Sequence, residues 1–241
     1  MSTESIPGLQ QGIERRGLRD HVYERVLELL LRGDVEPGAR LSIDTIARQL
    51  GVSPTPVREA FVHLERTGLV TREALKGYRV AAPLGKDQLT ELLEARLMLE
   101  VTAARLAEKN REALIPALRD AQARHAEVGD RLIAHLDAGE ALNIALTTEY
   151  FSRDRDFHSV IFEHSGNRYL KQMSDSMGAQ LHRMRQSVRQ GITDVHEAVN
   201  EHAAVLAAFE RGESGSAVAA MQSHLSNVRD RSIAAEEEHG H

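Results

Sequence analysis

The sequence predicts a mainly α-helical chain, with an N-terminal winged helix-turn-helix domain followed by an all-helical antiparallel bundle. Three observations predict it. Two short helical segments meet across a tight turn at Gly51, and Ser53-Pro54 opens the second of them. Two strand-like runs, Leu69–Arg72 and Tyr78–Ala81, then flank a tip ending in Lys76-Gly77, the pattern of a hairpin wing. From Lys86 onward proline nearly vanishes, and apolar residues recur at helical spacing almost to the end.

Residues 1–17 read as a polar, flexible arm. The first helix is predicted over Leu18–Arg32, with Val22, Val26, Leu29 and Leu30 inward and Gly33 as its stop. Residues 34–38 form a turn. Ser42 caps a short helix carrying Ile43, Ile46, Ala47 and Leu50, which Gly51 ends. In the next helix Ser53 is a natural N-cap, and Pro54 takes the first position, where a missing N–H costs nothing. Val57, Ala60, Phe61 and Leu64 mark its apolar face; Thr55, Arg58, Glu59, Val62 and Arg66 fall on the other. The domain spans 18–82 and a linker 83–86. The helical domain covers 87–235, with helices near 86–109, 111–137, 140–164, 167–190, 194–211 and 215–235, and 236–241 is a tail.

Composition narrows the function. There is no cysteine, so disulfide scaffolds and thiolate sites are excluded, in keeping with a cytoplasmic protein. No apolar run reaches the roughly 20 residues of a membrane span, and the N-terminus has no secretory pattern. The net charge of -6 is unevenly spread: residues 1–85 carry +1 and the remainder carries -7. A site-reading DNA-binding domain needs a local basic surface, not a basic whole. Aromatics make up only 4% of the chain, too few for a single-strand stacking platform. Double-stranded DNA is therefore the expected partner. The residues placed to meet it are Ser53, Thr55 and Arg58 at the helix start, Arg48 and Arg66 beside them, and Lys76 and Gly77 at the wing tip.

The second domain places polar residues on apolar helix faces. Asp154 and His158 lie four residues apart, with Phe151 and Ile161 on the same face. His202 lies among Val195, Val199, Val205, Leu206 and Phe209, and His224 beside Met221, Leu225 and Val228. Buried His and Asp require partners, and one divalent cation satisfies all four. One oxygen and three nitrogen ligands suit Zn, Ni, Mn or Fe and leave coordination positions open. Arg96 is a further inward charge, among Leu89, Leu92, Leu93, Leu99 and Ala103. It requires an anion, either a carboxylate of the chain such as Glu100 or Asp154, or a bound acid. His21, His63, His125, His135, His164 and His196 read as scattered or on mixed faces, without a ligand role.

Residues Leu41-Ser42, Ile46-Ala47, Leu50 through Ala60, Leu64-Glu65, Gly68-Leu69-Val70, Gly77 and Val80 resemble the winged-helix domain of the GntR family of bacterial transcription regulators. Glu94 through Glu100, Asp154 to His158, Ser165-Gly166-Asn167, Glu201-His202 and Ala220 through Leu225 resemble the FCD effector domain. The resemblance implies a homodimer on a short palindromic operator, in most cases a repressor, whose grip changes when a small carboxylic acid binds. It implies that Asp154, His158, His202 and His224 are the metal ligands and that Arg96 holds the acid against the metal. It also implies that His182 and Arg185 line the effector pocket. In many family members an Arg stands where Pro54 stands here, so Thr55 and Arg58 carry more of the DNA contact. A metal-responsive regulator, or a metal-dependent enzyme with a DNA-binding module, are the alternatives. Against an enzyme, no general base is spaced to work beside the ligands, and no His-Glu-x-x-His run occurs.

Overall fold

A computed structural model describes residues 12–32, 35–66, 68–73, 77–82, 84–140, 143–187 and 194–239. The chain divides into two compact units, Met1–Pro83 and Leu84–His241.

In the first unit the elements run α1 (Gly12–Arg32), β1 (Arg40–Leu41), α2 (Ile43–Leu50), α3 (Pro54–Arg66), β2 (Val70–Glu73) and β3 (Gly77–Val80). The Ser42 side chain accepts from the Thr45 N–H to cap α2, and Gly51 closes it in the left-handed conformation at φ 65°. Pro54 opens α3, which buries Val57, Ala60, Phe61 and Leu64 against Val22, Val26 and Leu27 of α1. The three antiparallel strands are ordered β1-β3-β2, with Arg40 opposite Arg79 and Val70 opposite Val80. Tyr78 turns its ring onto Phe61, with centroids 4.9 Å apart, and so seals the sheet onto α3.

Two expectations for this unit are corrected, and one short strand was not foreseen. The helix starts at Gly12, so residues 12–17 of the expected arm are helical, as the good helix formers Glu14, Arg15 and Arg16 allow. Leu27 rather than Leu29 is buried on α1, because the core arc centres on Val26 and Tyr23 and leaves Leu29 at its edge, 42% exposed. Strand β1 has only two residues, too few for alternation to announce it.

The second unit comprises α4 (Lys86–Ala107), a single 3-10 turn (Glu108–Asn110), α5 (Arg111–Asp137), α6 (Ile144–His164), α7 (Arg168–Ser187), α8 (Val195–Arg211) and α9 (Ser216–His239). Helix α5 packs on α6 and α8; α4 packs on α6, α7 and α9; α8 packs on α9. Their shared core contains Leu114, Leu118, Phe157, Ile161, Phe209 and Met221. Helix α6 begins at Ile144 rather than 140, because the Asn143 side chain caps it by accepting from the Leu146 N–H. The tail residues 236–239 continue α9, and Glu237 pairs with Lys86 of α4.

Candidate metal centre and nucleic-acid interface

Among the described residues, helices α4, α5, α6, α8 and α9 carry nine buried polar or charged side chains, and seven of them form one cluster: Arg96, Glu100, His125, Asp154, His158, His202 and His224. Each sits where helical periodicity points it inward. Asp154 and His158 are one turn apart on α6, with Tyr150, Phe157 and Ile161 on the same buried face. His202 shares its face of α8 with Ala198, Val205 and Phe209, and His224 adjoins Met221 and Leu225 on α9.

The ring nitrogens separate into an inner and an outer set. Asp154 Oδ1 lies 3.7 Å from His202 Nε2 and 3.8 Å from His158 Nε2. Ligand atoms of His158, His202 and His224 lie within 4.8 Å of one another, as do those of His125, Asp154 and His202. The outer nitrogens face second groups. His158 Nδ1 is 2.5 Å from Glu100 Oε2, and His224 Nδ1–H donates to Glu201 Oε2 at 2.8 Å. His202 Nδ1 lies 3.0 Å from His125 Nδ1. The inner Nε2 atoms of His202 and His224 are buried and have no hydrogen-bond partner. Buried ring nitrogens without a hydrogen-bond partner, beside a carboxylate, fit a divalent cation, which takes neutral imidazole and ionised carboxylate.

The electrostatics agree with that fit. Burial, together with the neighbouring His224 and His158, pushes His202 well below the usual imidazole range. Burial likewise lowers His224. Both rings are thus kept neutral with a lone pair available. Burial works against the Glu100 charge, but Arg96 and His158 overcome it and bring the carboxyl down to about 2. At Glu201 burial is likewise outweighed, by His224, Arg231 and Asn227, and the value again falls to about 2. Arg231 forks onto both Glu201 oxygens at 2.8 and 3.1 Å while its Nε donates to Asp194 at 2.7 Å. A carboxylate behind a ligand histidine fixes the ring's tautomer and orientation.

Arg96 is 3% exposed. Its Nε donates to Glu100 Oε1 at 2.6 Å, so the intrachain partner foreseen in Glu100 is present. Its Nη2 donates to His158 Nε2 at 3.0 Å. A guanidinium has no lone pair, so His158 Nε2 accepts and the His158 proton sits on Nδ1, toward Glu100.

His125 is a correction to the sequence reading. It is fully buried and touches His202, rather than lying on a mixed face. The signal was present: Leu114, Leu118, Ala121, His125, Val128 and Leu132 form one helical stripe, and all are buried. Glu201 and Arg231 were also missed as supports of the centre. His182 and Arg185 belong to α7, but their side chains lie outside the described residues.

On the first unit Ser53, Thr55 and Arg58 are exposed at the start of α3; Arg66 is exposed at its end and Arg48 on α2. Gly77 is exposed at φ 90°, a left-handed conformation that suits a glycine at the wing tip. Lys76 lies outside the described residues. Val62 is 44% exposed on the same outward side of α3 as Arg58. A helix N-terminus with exposed hydroxyl and guanidinium groups beside a hairpin is shaped for phosphate and base-edge contact.

Comparison with known proteins gives two family matches: the FCD domain over residues 91–227, and the bacterial regulatory proteins of the gntR family over residues 18–80. The HTH-type transcriptional regulator LutR of Bacillus subtilis is 29% identical over 223 residues, covering 84% of this chain and 95% of LutR. The HTH-type transcriptional repressor GlaR of Escherichia coli is 28% identical over 150 residues, 61% of this chain and 63% of GlaR. Among solved structures, E. coli McbR/YncC shares the fold with a TM-score of 0.58 at 24% identity, covering 93% of this chain and 99% of that one.

Proposed function

Because this chain belongs to the GntR family of bacterial regulatory proteins and carries an FCD domain, and is a transcriptional regulator of that family, we propose that it is a homodimeric repressor whose grip on operator DNA changes when a small carboxylic acid binds beside a divalent cation in the helical unit. One observation carries this reading. The Nε2 atoms of His202 and His224 are buried without a hydrogen-bond partner, and His158 and Asp154 stand around the same interior point.

The ligands of the cation are Asp154, His158, His202 and His224, with Zn, Ni, Mn or Fe as the fitting metals. The cation supplies a positive seat with open positions for an anionic oxygen. Arg96 supplies the second half of that seat. Its Nη2 and a cation compete for one lone pair, that of His158 Nε2. When His158 serves as a ligand, the Arg96 N–H is left buried and needs a new acceptor. An acid whose carboxylate meets Arg96 and whose remaining oxygen reaches the cation satisfies both. Glu100 accepts from the Arg96 Nε and so holds the guanidinium at the site.

On the DNA side, Thr55 and Arg58 read base edges, while Ser53, Arg48, Arg66, Lys76 and Gly77 position the unit on phosphates. The operator is a palindrome because two copies read it, with half-sites about one helical turn apart. Repression is supported by the name of one relative, GlaR. For the homodimer, the strongly exposed apolar side chains Met98 on α4 and Tyr169 and Met173 on α7 lie on two helices that pack together.

The test is a band-shift titration on an operator selected from random duplexes. One organic acid is expected to change operator affinity in the metal-loaded protein, and Arg96→Lys is expected to abolish that response while leaving acid-free DNA binding intact. If metal ions alone release the operator and no acid has any effect, the chain is a metal-responsive regulator instead.

A further inference from the structure

The three histidines around Asp154 differ in what stands behind them. Glu100 stands behind His158 and Glu201 behind His224. An ionised carboxylate only accepts, so each of these partners forces the imidazole proton outward and leaves the inner nitrogen bare. Behind His202 stands another imidazole, His125, nitrogen to nitrogen at 3.0 Å. A neutral imidazole can donate or accept. The contact therefore has two arrangements. If His125 Nδ1–H donates to His202 Nδ1, the His202 proton sits on Nε2, and that atom cannot bind a cation. If His202 Nδ1–H donates to His125 Nδ1, the His125 proton sits on Nε2, and His202 Nε2 is bare.

We propose that His125 is the positioning residue of the metal centre, accepting a hydrogen bond from the His202 Nδ1–H and thereby setting His202 in the tautomer whose bare Nε2 faces Asp154. The inference rests on the metal-centre reading above. The surroundings build this contact firmly. His202 is stacked on Phe157, with centroids 4.0 Å apart and planes within 8°. His125 stacks on Tyr150 at 4.8 Å. Both imidazoles are fully buried, so water does not take over the hydrogen bond. One turn beyond His125, Gly129 brings α5 against α8: a Cβ there would stand 3.0 Å from Val199 Cγ2 and 3.3 Å from Val195 Cγ1. Gly129 thus lets α5 and α8 approach closely beside the imidazole pair; a side chain there would press on both valines.

A cation then selects one of two tautomer pairs, and its apparent affinity is reduced by the fraction of chains in the wrong pair. His125 makes the donor arrangement of His202 available and locks the ring plane. Removing it leaves the His202 Nδ1–H buried and unpaired in the metal-competent tautomer, which disfavours that tautomer.

Zinc affinity is measured on the full chain by competition with a chromophoric chelator, for wild type, H125F, H125Q and H224A. H125F is expected to weaken zinc binding about 10–100-fold, the usual effect of losing an outer partner of a ligand histidine. H125Q restores an acceptor and is expected to recover most of that loss. In the zinc-loaded wild type, long-range proton–nitrogen spectra are expected to place the His202 proton on Nδ1 and the His125 proton on Nε2. This measurement decides the matter even if H125F does not fold. The inference is overturned if folded H125F binds zinc as tightly as wild type while H224A does not, or if the zinc-loaded protein carries the His125 proton on Nδ1. If wild type and H224A are alike in taking up no zinc, the metal-centre reading itself falls, and this inference with it.

Discussion

A buried histidine is inexpensive only while it stays neutral, and a buried carboxylate only while it is paired. The centre obeys both conditions, and the consequence is measurable as acid sensitivity. His202 and His224 are held below the imidazole value of 6.5 by burial first. The unfolded chain therefore binds more protons than the folded one once the pH drops below about 6.5, and stability falls with acidification. Glu100 and Glu201, at about 2 against an ordinary 4.5, add stability that is complete above 4.5 and is lost from there toward 2. Melting of the chelator-treated chain should accordingly decline already between about pH 6.5 and 5, and more steeply below about 4.5. A profile flat down to about pH 5 would contradict the neutral buried histidines. On the DNA surface, Arg58 is exposed near the start of α3. Arg58→Ala should lose about 1–3 kcal/mol of specific over non-specific binding if it reads a base. An unchanged specificity ratio would make it a backbone contact only.

At the scale of elements, helix packing decides whether the centre assembles. Gly129 on α5 faces Val195 and Val199 on α8, one turn before His202. Gly129→Val forces those helices apart and should cost about 1–3 kcal/mol in denaturant unfolding, with weaker metal binding as a second effect. Stability equal to wild type would show that α8 can shift without penalty. The helix-turn-helix was legible in the sequence because its signals are local: a Ser42 cap, a left-handed Gly51 and Pro54 at a helix start each act within one turn. The apolar stripes that carry Asp154, His158, His202 and His224 inward were legible for the same reason. What was hidden depends on partners far along the chain. The stripe on α5 marks His125 as inward, but not that it meets His202 on α8, and Glu201 does not declare which histidine it supports until α9 returns beside it. The two-residue β1 and the early start of α1 escaped because neither interrupts a periodic pattern strongly enough.

For the whole molecule, the proposed function joins a DNA-binding unit to a helical unit that would hold an acid against a cation. Two copies are required to read a palindrome, so sedimentation of the full chain should give twice the 26.7 kDa chain mass. A species of 26.7 kDa at micromolar concentration would contradict the homodimer. Among the described residues no helix is long and apolar enough to cross a membrane. The central claim is that the acid sits on the metal, and thermal melting tests it most directly. The full chain is melted with a panel of small organic acids, with and without a chelator, beside Asp154→Ala. A ligand at a hundredfold excess over its dissociation constant stabilises by about 2.7 kcal/mol, enough to move a melt by several degrees. The account predicts that metal raises the melting temperature, that one acid raises it further, and that chelator or Asp154→Ala removes the acid's effect. An acid shift of equal size in chelator would contradict it, because the acid would then be bound without the metal.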